Sequence, residues 1–388
     1  MKLVVISNLE HYASGGVFVC SPPAAVREVD ALAALFDQVE HLACLRPGEA
    51  PASAEPYRAS NVRLALLPSA GGRGVAGKLD ALRALPGRIR ALQKAWGDAD
   101  AALVRCPSNV AAAALLALSC GLGPRRVWVK YTGPWQGRAG EALGYRVQRL
   151  WLRVLTGRVT ITTGGVEADP GYGAITLCNP SLSLAVAREA ERATRGKALS
   201  TPWRLLAVGR LASDKSLDIA LRALVLLRIR GHEATFDIAG DGPERLTLAA
   251  LAASLGVEAH VRFHGWLNER DLDELYRNAH LLLAPSRAEG WSRAWTEAAA
   301  RRCVPLAAKT GAATGLARSG AGHVLASYDP QAWADQISRL LEDEPVWRTC
   351  AEKGPRLARE FTYERFADGA RAVLQLPVGE PERILSRA

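Results

Sequence analysis

No two cysteines in this chain form a C-x-x-C pair, and no histidine cluster accompanies them. The seven present, Cys20, Cys44, Cys106, Cys120, Cys178, Cys303 and Cys350, are scattered and odd in number. That argues against a disulfide framework and a zinc site, and for a reducing, cytoplasmic setting. No stretch reaches the ~20 uncharged apolar residues that a membrane-spanning helix needs. The opening "MKLVVISNLE" turns polar by Ser7, too early for a signal peptide, and reads as a first buried strand. Internal repeats and low-complexity tracts are absent. So are zinc-finger and helix-turn-helix signatures and the aromatic–basic interleaving of RNA-binding surfaces. Acidic residues are outnumbered, 39 against 49 Lys and Arg, giving a net charge of +10. A basic balance suits phosphorylated substrates or an anionic membrane; nucleic acid is not an expected partner.

What is present is an alternation. The chain has 388 residues, nearly half of them hydrophobic, enough for two cores. "KLVVIS", "EHLACL", "VRLALL", "AALVRC", "RVWVKY" and "RVTITT" read as short strands separated by helical patterns. A second series follows: "RLLAVGR", "TFDIAG", "HVRFHGW", "LLLAPS" and "VPLAA". Strand–helix alternation of this kind predicts parallel βαβ units. The fold class is α/β, two doubly wound Rossmann-like domains facing across a cleft. The expected boundaries are 1–183 for an acceptor-binding domain, 184–203 for a charged linker, 204–361 for a nucleotide-sugar-binding domain and 362–388 for a last helix and tail. Ligands of such sheets bind at the carboxyl ends of the strands.

Several motifs stand at those ends. Gly209 and Arg210 follow a strand, and Lys215 opens the next helix, which Ser213 or Asp214 could cap. Two cations beside a helix N-terminus make a seat for a diphosphate. Gly240 and Gly242 in "IAGDGPERL" predict a tight turn where a ligand can approach the backbone. "SRAEGWSRAWTEAAA" places Glu289 at a strand end and Glu297 eight positions on, in a helix opened by Ser292 or Thr296. A carboxylate can accept hydrogen bonds from two vicinal hydroxyls, so these acids fit a ribose and a transferred sugar.

The order of "GRLASDK", "GDGP", "VRFHGW" and "LLLAPSRAEGWSRAWTEAAARRCVPLAA" resembles the carboxyl-terminal half of glycosyltransferase family 4, which has the GT-B fold. Glu289 and Glu297 match that family's E-x7-E pattern. The resemblance is strongest over Arg204 to Ala308. It implies that Arg210 and Lys215 bind the donor diphosphate and that Glu297 binds ribose hydroxyls. Glu289 and the backbone of Gly290, Trp291 and Ser292 would hold the donor sugar, and the base would sit near Phe263 and His264. A glycine-rich loop, here Ser14, Gly15 and Gly16, would touch phosphate or acceptor. Many members carry a histidine after a middle strand of the first half; this chain has Lys130 and Tyr131 there. Arg105, in "RCPSN", is a further acceptor-side candidate. The implied reaction is transfer of a sugar from a nucleotide diphosphate sugar to a glycan or lipid-linked acceptor, with retention at the anomeric carbon. No metal or other cofactor is implied.

Two D-x-D runs, Asp98 to Asp100 and Asp271 to Asp273, sit away from strand ends and read as solvated acids. Gly71 to Trp96 begins glycine-rich and becomes a basic helical pattern, with Leu79, Leu82, Leu85, Ile89 and Leu92 on one face. Lys78, Arg83, Arg88, Arg90 and Lys94 flank that face. The segment fits an anionic bilayer at the inner face of the membrane or an ordinary domain surface. Two other readings of the chain remain beside transfer: an epimerase on the same fold, and a nucleotide-sugar-binding protein without activity.

Overall fold

The computed structural model describes residues 1–70, 74–132, 135, 143–155, 157–164 and 173–376, except the side chains of 74–76 and 78. Gly71 to Arg73 and the Lys78 side chain of the basic segment therefore lie outside the described residues, as does the tail from 377. The chain forms two compact units, Met1–Cys178 together with the residues from Tyr363 on, and Asn179–Thr362.

The first unit is built from β1 (Lys2–Ser14), β2 (Val17–Ser21), α1 (Pro23–Ala33), β3 (Gln38–Leu45), β4 (Val62–Pro68), α2 (Gly74–Arg83), α3 (Leu85–Trp96), β5 (Ala101–Cys106), α4 (Asn109–Ser119), β6 (Arg126–Tyr131), α5 (Leu143–Val154), β7 (Thr160–Thr163) and β8 (Ile175–Thr176). The sheet order is β4-β3-β1-β5-β6-β7-β8. All these pairings are parallel, and β2 pairs antiparallel with β1. Successive side chains of the central strand serve opposite faces. Leu3 and Val5 pack with Val29 and Leu32 of α1. Val4 and Ile6 pack with Leu92 of α3, Leu118 of α4 and Leu152 of α5. A strand buried on both faces reads as a continuous apolar run, and each such side chain contributes about 1.5–3 kcal/mol.

The second unit follows with α6 (Leu184–Ala193), β9 (Trp203–Val208), α7 (Leu217–Ile229), β10 (Ala234–Ala239), α8 (Arg245–Ser254), β11 (Val261–Gly265), α9 (Glu269–Asn278), β12 (Leu281–Ala284), α10 (Arg293–Ala300), β13 (Val304–Ala308), α11 (Ala313–Ser319), β14 (His323–Leu325), α12 (Pro330–Glu342) and α13 (Glu344–Arg359). Its sheet is parallel in the order β11-β10-β9-β12-β13-β14. The chain winds outward from β9 one way and from β12 the other, so the switch point lies between those two strands. Finally α14 (Tyr363–Val373) returns to the first unit, where Phe366 and Ala370 join the Leu3–Val5 face.

Three features differ from the sequence reading. The charged segment 184–203 contains α6, capped by the Ser183 side chain and buried through Ala187 and Ala190. Its apolar stripe is alanine only, which a strand search passes over. The units divide at Cys178, and α14 is part of the first unit's core rather than a separate tail. Finally, the basic segment is two helices rather than one, because Pro86 stands in the first turn of α3. Leu92 and Arg88 are buried, and Arg88 donates to Ala70 O at 3.0 Å, so it is not a surface cation. Among the described residues no helix is long and apolar enough to cross a membrane.

Candidate functional site

The carboxyl ends of β9 and β12 frame a pocket lined by Gly209, Arg210, Lys215, Ser286, Glu289 and Ser292. Lys215 Nζ lies 2.5 Å from Glu289 Oε2, both side chains largely covered. Arg210 is open to solvent, 3.8 Å from Asp214. Lys215 ends a short 3-10 turn, Ser213–Lys215, and Ser216 caps α7 in the left-handed region at φ 48°. A non-glycine residue there is strained. Arg287 holds it: its Nε donates to Ser216 Oγ at 3.2 Å, and its own N–H donates to Asp214 O at 2.8 Å. Neither Ser213 nor Asp214 caps α7, and no side chain does.

Ser292 opens α10, and its side chain accepts no bond from the helix. The first-turn N–H groups of α10 thus stand beside Lys215 and Glu289, where their dipoles favour an anion. Trp291 is buried. Its Nε1 donates to Thr296 Oγ1 at 2.8 Å, and its ring stacks on Phe361 at 4.0 Å. The indole anchors the loop, so only the backbone of Trp291 can meet a ligand; Gly290 beside it is exposed.

Glu297 does not line this pocket. Its Oε2 accepts from Tyr276 Oη at 2.8 Å, and Tyr276 is a buried residue of α9 whose acidity burial suppresses. Gly240 and Gly242 also lie outside the lining, and both pack tightly against the loop after β9. A Cβ on Gly240 would fall 1.9 Å from Gly209 O, and one on Gly242 2.3 Å from Leu211 O. The backbones are bonded there, Gly209 N to Ala239 O at 3.0 Å and Leu211 N to Asp241 O at 2.9 Å. The close approach is that of the neighbouring loop. Phe263, on the edge strand β11, packs against the core of the second unit. His264 Nε2 meets Asp237 Oδ1 at 2.6 Å across β11 and β10.

In the first unit the glycine-rich stretch is a hairpin tip. Ser14 pairs with Val17, and Gly15 and Gly16 take φ values of 56° and 82°, the double positive φ of a two-residue turn. Arg105 and Lys130, neighbours on β5 and β6, both donate to Glu28 of α1; Lys130 Nζ is 2.7 Å away. Glu28 and Lys130 are buried. Tyr131 is buried too and accepts from Arg149 at 3.2 Å. Sequence reasoning missed Glu28, although an acid among Ala25, Val26, Val29 and Leu32 on an otherwise apolar helix face is a usable signal.

It also missed a closed ring of hydrogen bonds. His11 Nδ1 meets Leu9 O at 3.2 Å and so must carry the proton. Its Nε2 therefore accepts from Tyr57 Oη at 2.9 Å. Tyr57 Oη in turn accepts from His41 Nδ1 at 2.8 Å. His41 Nε2 accepts from Ser7 Oγ at 2.8 Å, and Ser7 Oγ accepts from Leu9 N at 3.1 Å. Burial holds the pKa of His11 below its ordinary value and that of His41 well below it, as neutral imidazoles require. The ring closes over a bulge: from Ile6 to Glu10 β1 advances four residues while β3 advances two.

Of the D-x-D acids, two serve ion pairs, while Asp100 accepts from Lys2 N at 2.7 Å and Asp271 from Asn268 Nδ2 at 2.8 Å. Asp98 holds Lys2 at 2.6 Å, and Asp273 bridges Arg301 and Arg277 instead of standing free in solvent.

With this geometry in view, the relatives are informative. Residues 189–357 match the family model of glycosyl transferases group 1. D-inositol 3-phosphate glycosyltransferase of Salinispora arenicola (strain CNS-205) is 36% identical over 172 residues, 42% of this chain and 38% of that protein. The enzyme of the same name from Mycobacterium bovis (strain BCG / Pasteur 1173P2) is 31% identical over 225 residues, 55% and 45%. The chain thus spans less than half the length of the curated relatives it matches. Anabaena HepE, solved in complex with UDP, superposes with a TM-score of 0.69 at 15% identity, covering 97% of this chain and all of that one. Sucrose-phosphate synthase of Thermosynechococcus elongatus gives 0.71 at 16% identity, covering 97% and 98%. The fold is GT-B. In the GT-B frame the matched segment contains β9 to β14, so the pocket with Lys215 and Glu289 lies inside it.

Proposed function

We propose that this chain is a retaining glycosyltransferase of family 4 that moves a sugar from a nucleotide diphosphate sugar to a hydroxyl of a glycan or lipid-linked acceptor. The observation that carries the reading is the Lys215–Glu289 pair beside the uncapped start of α10, at the switch point of a parallel sheet. It joins a cation, helix N–H groups and a carboxylate within one small pocket. The HepE structure with UDP and glucose supports a nucleotide-sugar donor.

In the proposed mechanism, donor binding draws Lys215 from Glu289 to the diphosphate. Departure of the leaving group concentrates negative charge there. Arg210, Lys215 and the α10 N–H groups stabilise that charge more in the transition state than in the ground state. These cations offset the diphosphate charge without a metal. Glu289 and the backbone of residues 290–292 hold the donor sugar. Tyr276 occupies Oε2 of Glu297, and Oε1 accepts the ribose hydroxyls. A donor phosphate oxygen takes the acceptor proton. The base lies near Phe263 and His264, and acceptor recognition falls to the first unit, where Gly16 and its neighbours are candidates. The setting is cytoplasmic, in cell-surface polysaccharide or glycolipid synthesis.

A binding protein without transfer activity is the competing reading, favoured by the buried Lys130–Glu28 pair where a reactive histidine would stand. A thermal-shift screen against UDP, GDP and ADP and their sugars should single out one donor. Slow release of nucleotide diphosphate from it supports an enzyme. Lys215→Ala should then lower turnover by ~10²–10³ with the fold intact; near wild-type turnover overturns the assignment.

A further inference from the structure

Residue 216 is a serine where the adjoining turns use glycine. Gly209, Gly240 and Gly242 supply positive φ values there, yet Ser216 takes φ 48° with a side chain in place. The left-handed region disfavours such a residue by about tenfold, so another contact must offset the strain. The hydroxyl provides it. Ser216 is buried, and its Oγ accepts from Arg287 Nε at 3.2 Å. Arg287 is fixed at its far end as well. Its guanidinium lies over the Tyr328 ring, 4.6 Å from Cζ to the centroid, a cation–π contact. Tyr328 packs against the core of the second unit, and its Oη donates to Ser286 O at 3.4 Å. One side chain thus ties the loop after β9, which carries Lys215, to the loop after β12, which carries Glu289.

We propose that Arg287 is a positioning residue: it holds Ser216 in the left-handed conformation and so places the Lys215 ammonium for the donor diphosphate. The proposal rests on the donor-site reading of Lys215. Arg287 is not among the residues lining the pocket with Lys215 and Glu289, so it acts through the loop and not on the donor. Lys215 directly precedes the strained residue. Its N–H donates to Ala212 O at 2.9 Å, and that of Ser216 to Ser213 O at 3.2 Å. When residue 216 leaves the left-handed region, this short turn pivots against α7 and carries the ammonium with it. A charge displaced by an ångström from a reacting group loses much of its effect. The apparent affinity of the seat falls with the fraction of chains that hold the loop in place.

The test compares the wild type, Arg287→Met, Arg287→Met/Ser216→Gly and Lys215→Ala by two readouts. Methionine keeps the backbone bond from Arg287 to Asp214 O, and the exposed position leaves the melting temperature near that of the wild type. Hydrogen exchange of the Lys215 and Ser216 amides needs no ligand. It should quicken about tenfold in Arg287→Met and return toward the wild-type rate in the double variant, because glycine takes φ 48° without strain. Inorganic pyrophosphate, titrated by calorimetry, probes the diphosphate seat. Arg287→Met should bind it about tenfold more weakly than the wild type, and the double variant within about threefold of it. Unchanged exchange in Arg287→Met overturns the proposal. So does wild-type pyrophosphate affinity in Arg287→Met when Lys215→Ala has lost it. A double variant as weak as Arg287→Met also overturns it, since Arg287 would then meet the anion itself. Wild-type affinity in Lys215→Ala, or no pyrophosphate binding by the wild type, overturns the donor-site reading instead, and the exchange rates still judge the hold on Ser216.

Discussion

Tyr57→Phe removes one oxygen from the ring around the β1 bulge. That oxygen donates to His11 Nε2 and accepts from His41 Nδ1, so two buried imidazole nitrogens lose their partners at once. Each orphaned buried group costs about 1–3 kcal/mol. Two such groups give roughly 2–6 kcal/mol, and local relaxation favours the lower half, about 3 kcal/mol. For a unit of this size each kcal/mol moves the midpoint ~2–4 °C, so a drop of about 6–12 °C is expected by calorimetry or circular dichroism. Acid gives an independent readout. Both histidines titrate below their unfolded value near ~6.5, so the unfolded chain binds protons first. Their contribution is fully present above that pH and is lost as pH falls below it. The slope reaches about 2.7 kcal/mol per pH unit with both groups engaged. Arg105 and Cys20, near the ring, do not reverse this sign: Arg105 adds positive charge that further disfavours imidazolium, and the Cys20 thiol, pushed up to about 12, stays neutral. A variant that melts within a degree of the wild type, or a wild type equally stable at both ends of that acid range, refutes the reasoning.

Gly240→Ala places a methyl 1.9 Å from Gly209 O at φ 135°; the β9 and β10 loops must part, costing about 2–4 kcal/mol in urea denaturation and weakening nucleotide binding. Glu28→Gln leaves Arg105 and Lys130 without their buried counter-charge, and a loss of about 3–5 kcal/mol should appear in the urea midpoint. Lys197 donates to Tyr276 O, Ala279 O and Arg301 O at 3.1, 2.6 and 3.0 Å, so Lys197→Met should cost about 2–4 kcal/mol. Burial lowers the pKa of Lys197 to about 8, so its contribution to stability grows as pH rises from there toward the unfolded value of 10.5. That rise should vanish in the methionine variant.

The parallel strands were legible because each is a short apolar run buried on both faces, Leu3 to Ile6 being the plainest case. The unread strands have no such signature. β2 is half exposed, with Val17 and Phe18 facing water, and β8 and β14 hold only two and three residues. α6 escaped because its buried stripe is Ala187 and Ala190 among arginines and glutamates. The place of α14 could not be read at all, since Phe366 meets Trp128 across a sequence distance that no local pattern encodes.

The site shows the same division between local and distant information. Order and spacing place Arg210, Lys215 and Glu289 at strand ends, and the fold brings them together because β9 and β12 are adjacent at the switch point. Glu297 has the right spacing, yet its bond to Tyr276 comes from another helix and leaves no mark near residue 297. The glycines at 240 and 242 announce a close approach without saying which backbone approaches. The frame around Lys215 is nonetheless set by main-chain bonds, Gly209 to Ala239, Leu211 to Asp241 and Arg287 to Asp214. None of them uses the lysine ammonium. Replacing Lys215 therefore removes a charge from a loop that keeps its shape, so a loss of turnover in that variant reports on chemistry and not on folding.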